Sequence, residues 1–328
     1  MKYTSFTYYY RRALLYLRVA RLDHWFKNIF LLAGTLMALL DPEIKIGPPW
    51  LFAGRTVLAF FLACFAASSN YIVNEILDGP RDRLHPVKRF RPVPRGIVSC
   101  GKLWVMAVLF ALTSLVIAYL FMSRQFFLTL AAFILMGLIY NIPPVRTKEI
   151  VYLDAATEAI DNPIRLFLGW YAVTTLYPPP LTLVLSYWAF GAFLMTAKRY
   201  AEYRFFANPE AAAAYRGSFR RYTEENLLLA MICYISLTMF FFGALVMRYR
   251  RYELFLVVPF VIVFVGWFFK LAFKNDSFVR EPERLWREEP AFAGYSIFMF
   301  VIFVILAFIK TPFLWKAVEN MRIGPPLP

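Results

Sequence analysis

Charged residues are scarce in this chain of 328 residues. Asp, Glu, Lys and Arg together make up 17%, while hydrophobic residues reach 60% and aromatics 19%. A soluble domain carries about 25% charged residues, and a water-soluble chain of this length has too little interior to hide the apolar excess. Histidine occurs only at His24 and His85, and cysteine only at Cys64, Cys100 and Cys233. No CxxC spacing joins the cysteines, so neither a disulfide framework nor a thiolate metal site is expected. They read instead as small buried apolar residues. No Ser/His/Asp or Cys/His arrangement suggests covalent catalysis. Acids are also outnumbered, with 21 Asp+Glu against 36 Lys+Arg and a formal charge of +15. These deficits exclude soluble enzymes, disordered chains and disulfide scaffolds. Apolar bulk with excess positive charge indicates a polytopic membrane protein among anionic membrane lipids. Its basic residues lie in short loops, which argues against a nucleic-acid partner.

Residues 1–24 read as an amphipathic helix on the membrane interface. Arg11, Arg12, Arg18 and Arg21 interrupt its Tyr, Phe and Leu residues, unlike the apolar core of a cleavable signal. A spanning helix takes about 20 mostly apolar residues. Nine stretches approach that: 25–41, 50–77, 103–122, 125–142, 150–172, 180–197, 227–247, 252–273 and 291–316. None alternates with a period of two, so helices and not barrel strands are expected. The first is short and must tilt or borrow flanking residues. Of the 36 basic residues, 26 fall in loops on one side, nine on the other, and Arg165 lies inside a span. That bias puts the amino terminus in the cytoplasm, and an odd number of spans puts the carboxyl terminus outside, in keeping with a bacterial inner (plasma) membrane. The expected fold is all-α, with nine transmembrane helices forming one domain over 25–316. A tail follows at 317–328.

The polar residues of interest cluster at the cytoplasmic span ends. Asn70, Asn74, Asp78 and Asp82 recur every four residues and share one stripe if the helix persists. Acids at the membrane edge are functional candidates. Asn74, Asp78 and Asp82 offer hard oxygen ligands for Mg²⁺, which uses one or two carboxylates and lets substrate phosphates complete its shell. Gly79-Pro80 is expected to break or kink this helix, so that Asp82 approaches from a loop. The loop adds Arg81, Arg83, His85, Lys88, Arg89, Arg91 and Arg95, whose charge suits phosphate oxygens. An ordinary basic loop obeying the positive-inside rule is the plainer account.

Asp154, Glu158 and Asp161 lie on one face of an otherwise apolar span, followed by Asn162, Pro163 and Arg165. They must face a cavity or pair internally. The first alternative makes them ribose-hydroxyl binders, a second metal site or a base for an acceptor; the second makes them partners of Lys148 or Arg165. Tyr215, Arg216, Arg220, Arg221, Tyr222 and Glu224 form a basic-aromatic cap that either meets headgroups or closes over a diphosphate.

Asn74-Glu75-x-x-Asp78-x-x-x-Asp82, followed by Arg89-x-Arg91-Pro92 and Gly96, resembles the first aspartate-rich motif of the UbiA superfamily of intramembrane prenyltransferases. Glu75 stands where many members have aspartate. The resemblance implies nine helices around a cytoplasm-facing cavity, with two motifs holding a diphosphate through Mg²⁺. Finer features resemble the branch that moves phosphoribosyl from phosphoribosyl pyrophosphate to a polyprenyl phosphate: Trp25-x-Lys27-Asn28, Asp82-Arg83-x-His85-Pro86-x-Lys88-Arg89-Phe90-Arg91-Pro92, and Tyr140-Asn141 with Lys148 and Asp154. By that resemblance Asp78, Asp82 and Asp154 are catalytic candidates, and Lys27, Lys88, Arg89, Arg91 and Lys148 are phosphate-binding candidates.

Many members carry a second acidic element, DxxYAxxD. The matching stretch here runs from Ala197 to Arg204, keeps Tyr200 and Ala201, and loses both aspartates. Glu202 is its only acid, and with Glu158 and Asp161 it is a candidate substrate or second-metal residue. Lys198, Arg199 and Arg204 suit direct contact with phosphate, or else snorkel at a span end. The leading expectation is Mg²⁺-dependent phosphoribosyl transfer to a polyprenyl phosphate. The alternative is prenyl transfer from a prenyl diphosphate to an aromatic or hydroxyl acceptor, with Asp154, Glu158 or Asp161 as base. An ion-coupled transporter is remote, because the acids gather near one face and no inverted halves are evident.

Overall fold

The computed structural model describes residues 5–316 apart from 42, 46, 84, 86, 207 and 313. The expected tail at 317–328 lies outside the described residues, as do the first four residues of the interfacial segment. Among the described residues all regular structure is helical, as lipid requires of a backbone that must satisfy its own hydrogen bonds. The α-helices are α1 (Ser5–Val19), α2 (Leu32–Leu40), α3 (Pro49–Asp82), α4 (Cys100–Phe121), α5 (Arg124–Asn141), α6 (Leu153–Val173), α7 (Leu181–Phe205), α8 (Pro209–Tyr215), α9 (Glu224–Tyr249), α10 (Val258–Ala272), α11 (Pro282–Glu288) and α12 (Pro290–Phe308). Proline at the first or second position opens α3, α8, α10, α11 and α12, where its missing N–H costs no helical bond.

Among the described residues seven helices are long and apolar enough to cross a membrane: α3, α4, α5, α7, α9, Tyr252–Ala272 and α12. The remaining two expected stretches are also helical but differ in kind. Residues 25–41 divide into a 3-10 segment at Leu22–Leu31 and the nine-residue α2. Residues 150–172 form α6, whose Asp154, Glu158, Asp161 and Arg165 dilute its apolar character. The chain is an integral membrane protein.

Two compact units result: Met1–Pro180 with Phe206–Leu227, and Leu181–Phe205 with Leu228–Pro328. In the first, α3 packs against α4, α5 and α6, and α2 packs against α6. Leu62, Ala63, Ala66 and Ala67 meet Phe126, Leu130, Phe133 and Leu168 in its main core. A second cluster seats Val19 and Ala20, at the end of α1, among Ile72, Val73, Val93, Val98 and Leu103. Buried polar side chains bond across helices, as expected where no water competes: Asn70 donates to the Phe133 carbonyl at 3.0 Å and Ser69 to the Ala107 carbonyl at 2.9 Å. In the second unit, Phe193, Phe264, Phe268 and Phe292 stack through the interior. Ser186 donates there to the Thr238 carbonyl at 3.2 Å.

Two expectations are corrected. The helix α3 runs unbroken through Gly79-Pro80 to Asp82. Pro80 lies in the final turn, where only one hydrogen bond is lost and little helix remains to be bent. Asn70, Asn74, Asp78 and Asp82 therefore share one helical face. Of the three cysteines only Cys64 is buried; Cys100 and Cys233 are exposed, since an apolar residue on a spanning helix faces lipid as readily as protein.

Gly34 on α2 and Gly169 on α6 let backbone approach backbone closely. A Cβ on Gly34 would lie 1.9 Å from the Leu166 carbonyl oxygen, and one on Gly169 would lie 1.8 Å from that of Leu31. Backbone cannot yield as a side-chain tip can. Gly34→Ala or Gly169→Ala is expected to force the helices apart at a cost of about 1–3 kcal/mol, read as a lower midpoint of thermal unfolding in detergent; an unchanged midpoint would contradict the packing.

Candidate active site

Within the first unit, three stretches of chain converge on a small recess open to solvent. The last turns of α3 supply Asp78, Arg81 and Asp82. The 3-10 turn at Thr147–Glu149 supplies Lys148 and Glu149, while α8 and the residue after it supply Tyr215 and Arg216.

Asp78 is the electrostatic centre. Its Oδ1 accepts Lys148 Nζ at 2.6 Å and Arg146 Nη2 at 2.9 Å. Lys148 also donates to Asn141 Oδ1 at 2.8 Å, the same oxygen that accepts Asn74 Nδ2 at 2.5 Å. Two amides, one from α3 and one from α5, thus aim the ammonium. Burial pushes Lys148 down from 10.5, Asp78 draws it part of the way back, and Arg146 and Arg216 oppose that recovery, leaving it at about 8. Asp82 Oδ2 accepts Arg91 Nη1 at 3.0 Å. The second oxygen of each aspartate and the carbonyl oxygen of Asn74 accept no hydrogen bond among the described residues.

These spare hard oxygens, set beside cations, fit Mg²⁺. No group of three or more His, Cys, Asp or Glu is placed to hold a metal among the described residues. The donor set therefore suits an ion that shares its shell with phosphate better than one held by protein alone.

The 215–222 segment lies over the recess as a strap. Lys88 donates to the Tyr215 hydroxyl, and Arg216 reaches the Lys148 carbonyl at 3.2 Å and the Tyr140 hydroxyl at 3.0 Å. Asp154, with 0% of its surface exposed, accepts Ser218 Oγ at 3.0 Å and Tyr222 OH at 2.6 Å, and lies 3.5 Å from Arg216. Its oxygens serve the strap and do not line the recess. Glu158 accepts the Tyr140 hydroxyl at 2.9 Å, and Asp161 lies 3.8 Å from Arg165. The three acids of α6 thus serve three separate partners. Lys27 meets His24 Nδ1 at 3.2 Å, and Arg89 is exposed with its guanidinium over Phe90; neither lines the recess. In the second unit, Arg199 is buried against Glu202 at 2.8 Å, and Arg204 donates to the Phe273 carbonyl at 2.9 Å. Lys198 is half-buried on the same helix.

Residues 29–286 match the model of the UbiA prenyltransferase family. The chain belongs to that family. It is 31% identical over 215 residues to a decaprenyl-phosphate phosphoribosyltransferase of Mycolicibacterium smegmatis, a match covering 64% of this chain and 63% of that one. A protein of the same name from Corynebacterium glutamicum is 30% identical over 224 residues, covering 64% and 60%. The matched region thus spans under two thirds of those relatives' length. The fold resembles a UbiA homolog from Archaeoglobus fulgidus solved with GPP and Mg²⁺, with a TM-score of 0.66, 18% identity, and 90% and 98% of the two chains covered.

Arg146 and Glu149 are the residues of this UbiA-family chain that sequence reasoning passed over. Arg146 takes a left-handed φ of 31°, which costs a non-glycine residue about 1–2 kcal/mol; its bonds to Asp78 and to Glu149 Oε1, the latter at 3.3 Å, offset that. Glu149 also accepts Arg81 through Oε1 and the Gly217 amide through Oε2 at 2.6 Å. The adjacent Lys148-Glu149 pair was the available signal.

Burial raises the Glu149 carboxyl, but the Gly217 amide and the guanidiniums of Arg81, Arg146 and Arg216 outweigh it, and the group ends below its ordinary 4.5. A depressed folded-state value means that the ionised form stabilises the fold fully above 4.5 and loses this effect as pH falls through the depressed value. The Gly217 amide is therefore expected to stay protected from hydrogen exchange down to pH 4.5 and to lose protection below it. Loss of protection already near pH 6 would contradict the assignment.

Proposed function

We propose that this protein is an Mg²⁺-dependent membrane transferase that moves phosphoribosyl from phosphoribosyl pyrophosphate to a polyprenyl phosphate. The observation that carries this reading is the recess itself, where Asp78 and Asp82 keep spare oxygens among Arg81, Lys148 and Arg216. Such a site recognises a diphosphate and a metal together. The names of relatives about 30% identical supply the transferred group.

In this reading Asn74, Asp78 and Asp82 would hold Mg²⁺, which would neutralise charge on the leaving pyrophosphate. Lys148 and Arg216 bind its outer oxygens, with Arg81, Lys88 and Arg91 adding positive charge at the mouth. The bond from the sugar carbon to pyrophosphate breaks, the electron pair leaves with pyrophosphate, and a lipid phosphate oxygen bonds to that carbon. Lys148 and the guanidiniums stabilise the charge as it develops on the leaving group. The acceptor needs no strong base, because a phosphate monoester loses its second proton at about pH 6. Asp154 acts as a positioning residue through Ser218, Tyr222 and Arg216. Lys27, Arg89, Glu158 and Asp161 keep their proposed contacts with substrate outside the recess. In the second unit the pairing of Glu202 with Arg199 leaves the 198–204 segment cationic and without a carboxylate pair for a second metal. The excess of basic residues in the loops on one side supports an amino terminus in the cytoplasm.

A second reading, prenyl transfer from a prenyl diphosphate, is supported by the likeness in fold to the homolog solved with GPP and Mg²⁺. Membranes containing the protein, given labelled phosphoribosyl pyrophosphate and polyprenyl phosphate, are expected to yield a labelled lipid. Asp78→Asn with Asp82→Asn is expected to lower that Mg²⁺-dependent turnover by about 10²–10³-fold or more. Turnover of an isoprenyl diphosphate with no labelled lipid would overturn the first reading, and unchanged turnover in the double variant would overturn the metal assignment.

A further inference from the structure

Three guanidiniums and a backbone amide surround one carboxylate that the reaction does not require. Glu149 Oε1 accepts Arg81 Nη1 and Arg146 Nε, and its Oε2 accepts the Gly217 amide at 2.6 Å. Lys148 is its neighbour in the same turn, and Arg216 precedes Gly217. A carboxylate at the wall of an anion site repels the anion unless its charge is already matched, and here it is matched by cations that would otherwise swing outward. We infer that Glu149 is a positioning residue, whose one oxygen holds Arg81 and Arg146 while the other fastens the strap at Gly217, so fixing Tyr215 and Arg216 over the recess. The inference rests on the recess being the phosphate site proposed above.

Gly217 supplies an independent observation. A Cβ there would lie 2.5 Å from Glu149 Oε2, so the carboxylate approaches this amide closely enough that only glycine fits without displacing it. The fastening is also shared unequally. Ser218 and Tyr222 are held by Asp154 from α6, and Tyr222 OH accepts the Tyr152 amide at 2.8 Å. These bonds anchor the far end of the strap; at the end carrying the two residues that line the recess, Glu149 holds the backbone at Gly217, while Asp154, Tyr140 and the Lys148 carbonyl hold only the Arg216 side chain. Removing it should loosen Tyr215 and Arg216 while the remainder of the unit stays folded. The Lys88–Tyr215 bond extends the effect to the loop after α3, so the strap and the phosphate-facing loop would loosen together.

Two variants separate this role from simple structural support. Glu149→Gln keeps the shape and removes the charge; Gly217→Ala keeps the charge and displaces the carboxylate. In nanodiscs with Mg²⁺, both are expected to raise KM for phosphoribosyl pyrophosphate about tenfold, the loss of one charge-assisted hydrogen bond. KM for polyprenyl phosphate and the Mg²⁺ requirement should hold, and the thermal midpoint should fall in Glu149→Gln by the ionised carboxylate's contribution to the fold while staying a single cooperative transition. Hydrogen exchange of the 215–217 amides should quicken about tenfold, and Glu149→Asp should recover part of both effects. Unchanged exchange at 215–217 in both variants would overturn the inference. So would a raised Mg²⁺ requirement with a fallen kcat, which would make Glu149 a metal ligand. If the parent protein transfers no phosphoribosyl while exchange quickens in both variants and Mg²⁺-pyrophosphate binds them about tenfold more weakly, the positioning role stands and the phosphoribosyl reading fails.

Discussion

The pairing of Asp78 with Lys148 and Arg146 is the constraint on which the first unit depends. A charge at a membrane edge is tolerable only when matched, and removing one partner of a buried pair costs about 3–5 kcal/mol because the other remains uncompensated. The contacts join residues 68 and 70 positions apart, so they tie the end of α3 to the turn after α5. Much of the local structure follows. The α3 helix continues through Pro80, Arg146 accepts a left-handed backbone, and Asn74 and Asn141 bond to each other to hold the lysine in line.

Around that pair the carboxylates divide into two kinds. Asp78 and Asp82 each engage cations through one oxygen and keep the other. Glu149 and Asp154 use both oxygens, Glu149 taking the Gly217 amide of the strap and Asp154 its Ser218 and Tyr222 hydroxyls. The first kind is suited to chemistry and the second to holding the surroundings still. An acid in a membrane protein is thus not assigned a role by rarity alone; the number of oxygens it has left decides more.

Much of this was legible in the sequence, for reasons that differ by residue. The stripe from Asn70 to Asp82 could be read because a helix repeats every 3.6 residues, and the structure keeps all four on one face. The basic loop beside it was readable as charge, although only the structure distinguishes Arg91, bonded to Asp82, from Arg89, turned to Phe90. Asp154, Glu158 and Asp161 were correctly placed on one face, but spacing cannot show that they take three different partners from Tyr140, Arg165 and the strap. Arg146 and Glu149 escaped notice because their significance lies in contacts with residues 68 positions away, and no local pattern encodes such a pairing. The Gly79-Pro80 expectation erred by applying an interior-helix rule to a final turn.

The density of ion pairs in the recess has a consequence for how an anion could be bound. Bare guanidiniums and an ammonium in a poorly hydrated site would repel one another, and Lys148, already lowered to about 8, would fall further without Asp78. The carboxylates keep these cations charged, close together and correctly aimed before any ligand arrives. Under the proposed function, an incoming diphosphate would exchange one set of anionic partners for another and need not assemble cations from water, which reduces the reorganisation that binding demands. The exchange also frees carboxylate oxygens, the hard donors that a divalent ion prefers. Occupancy by anion and by metal should therefore be mutually favourable. The excess of 36 basic over 21 acidic residues sets topology along most of the chain, but in the recess the acids matter as much as the bases, since they are what allows so many cations to share one small space.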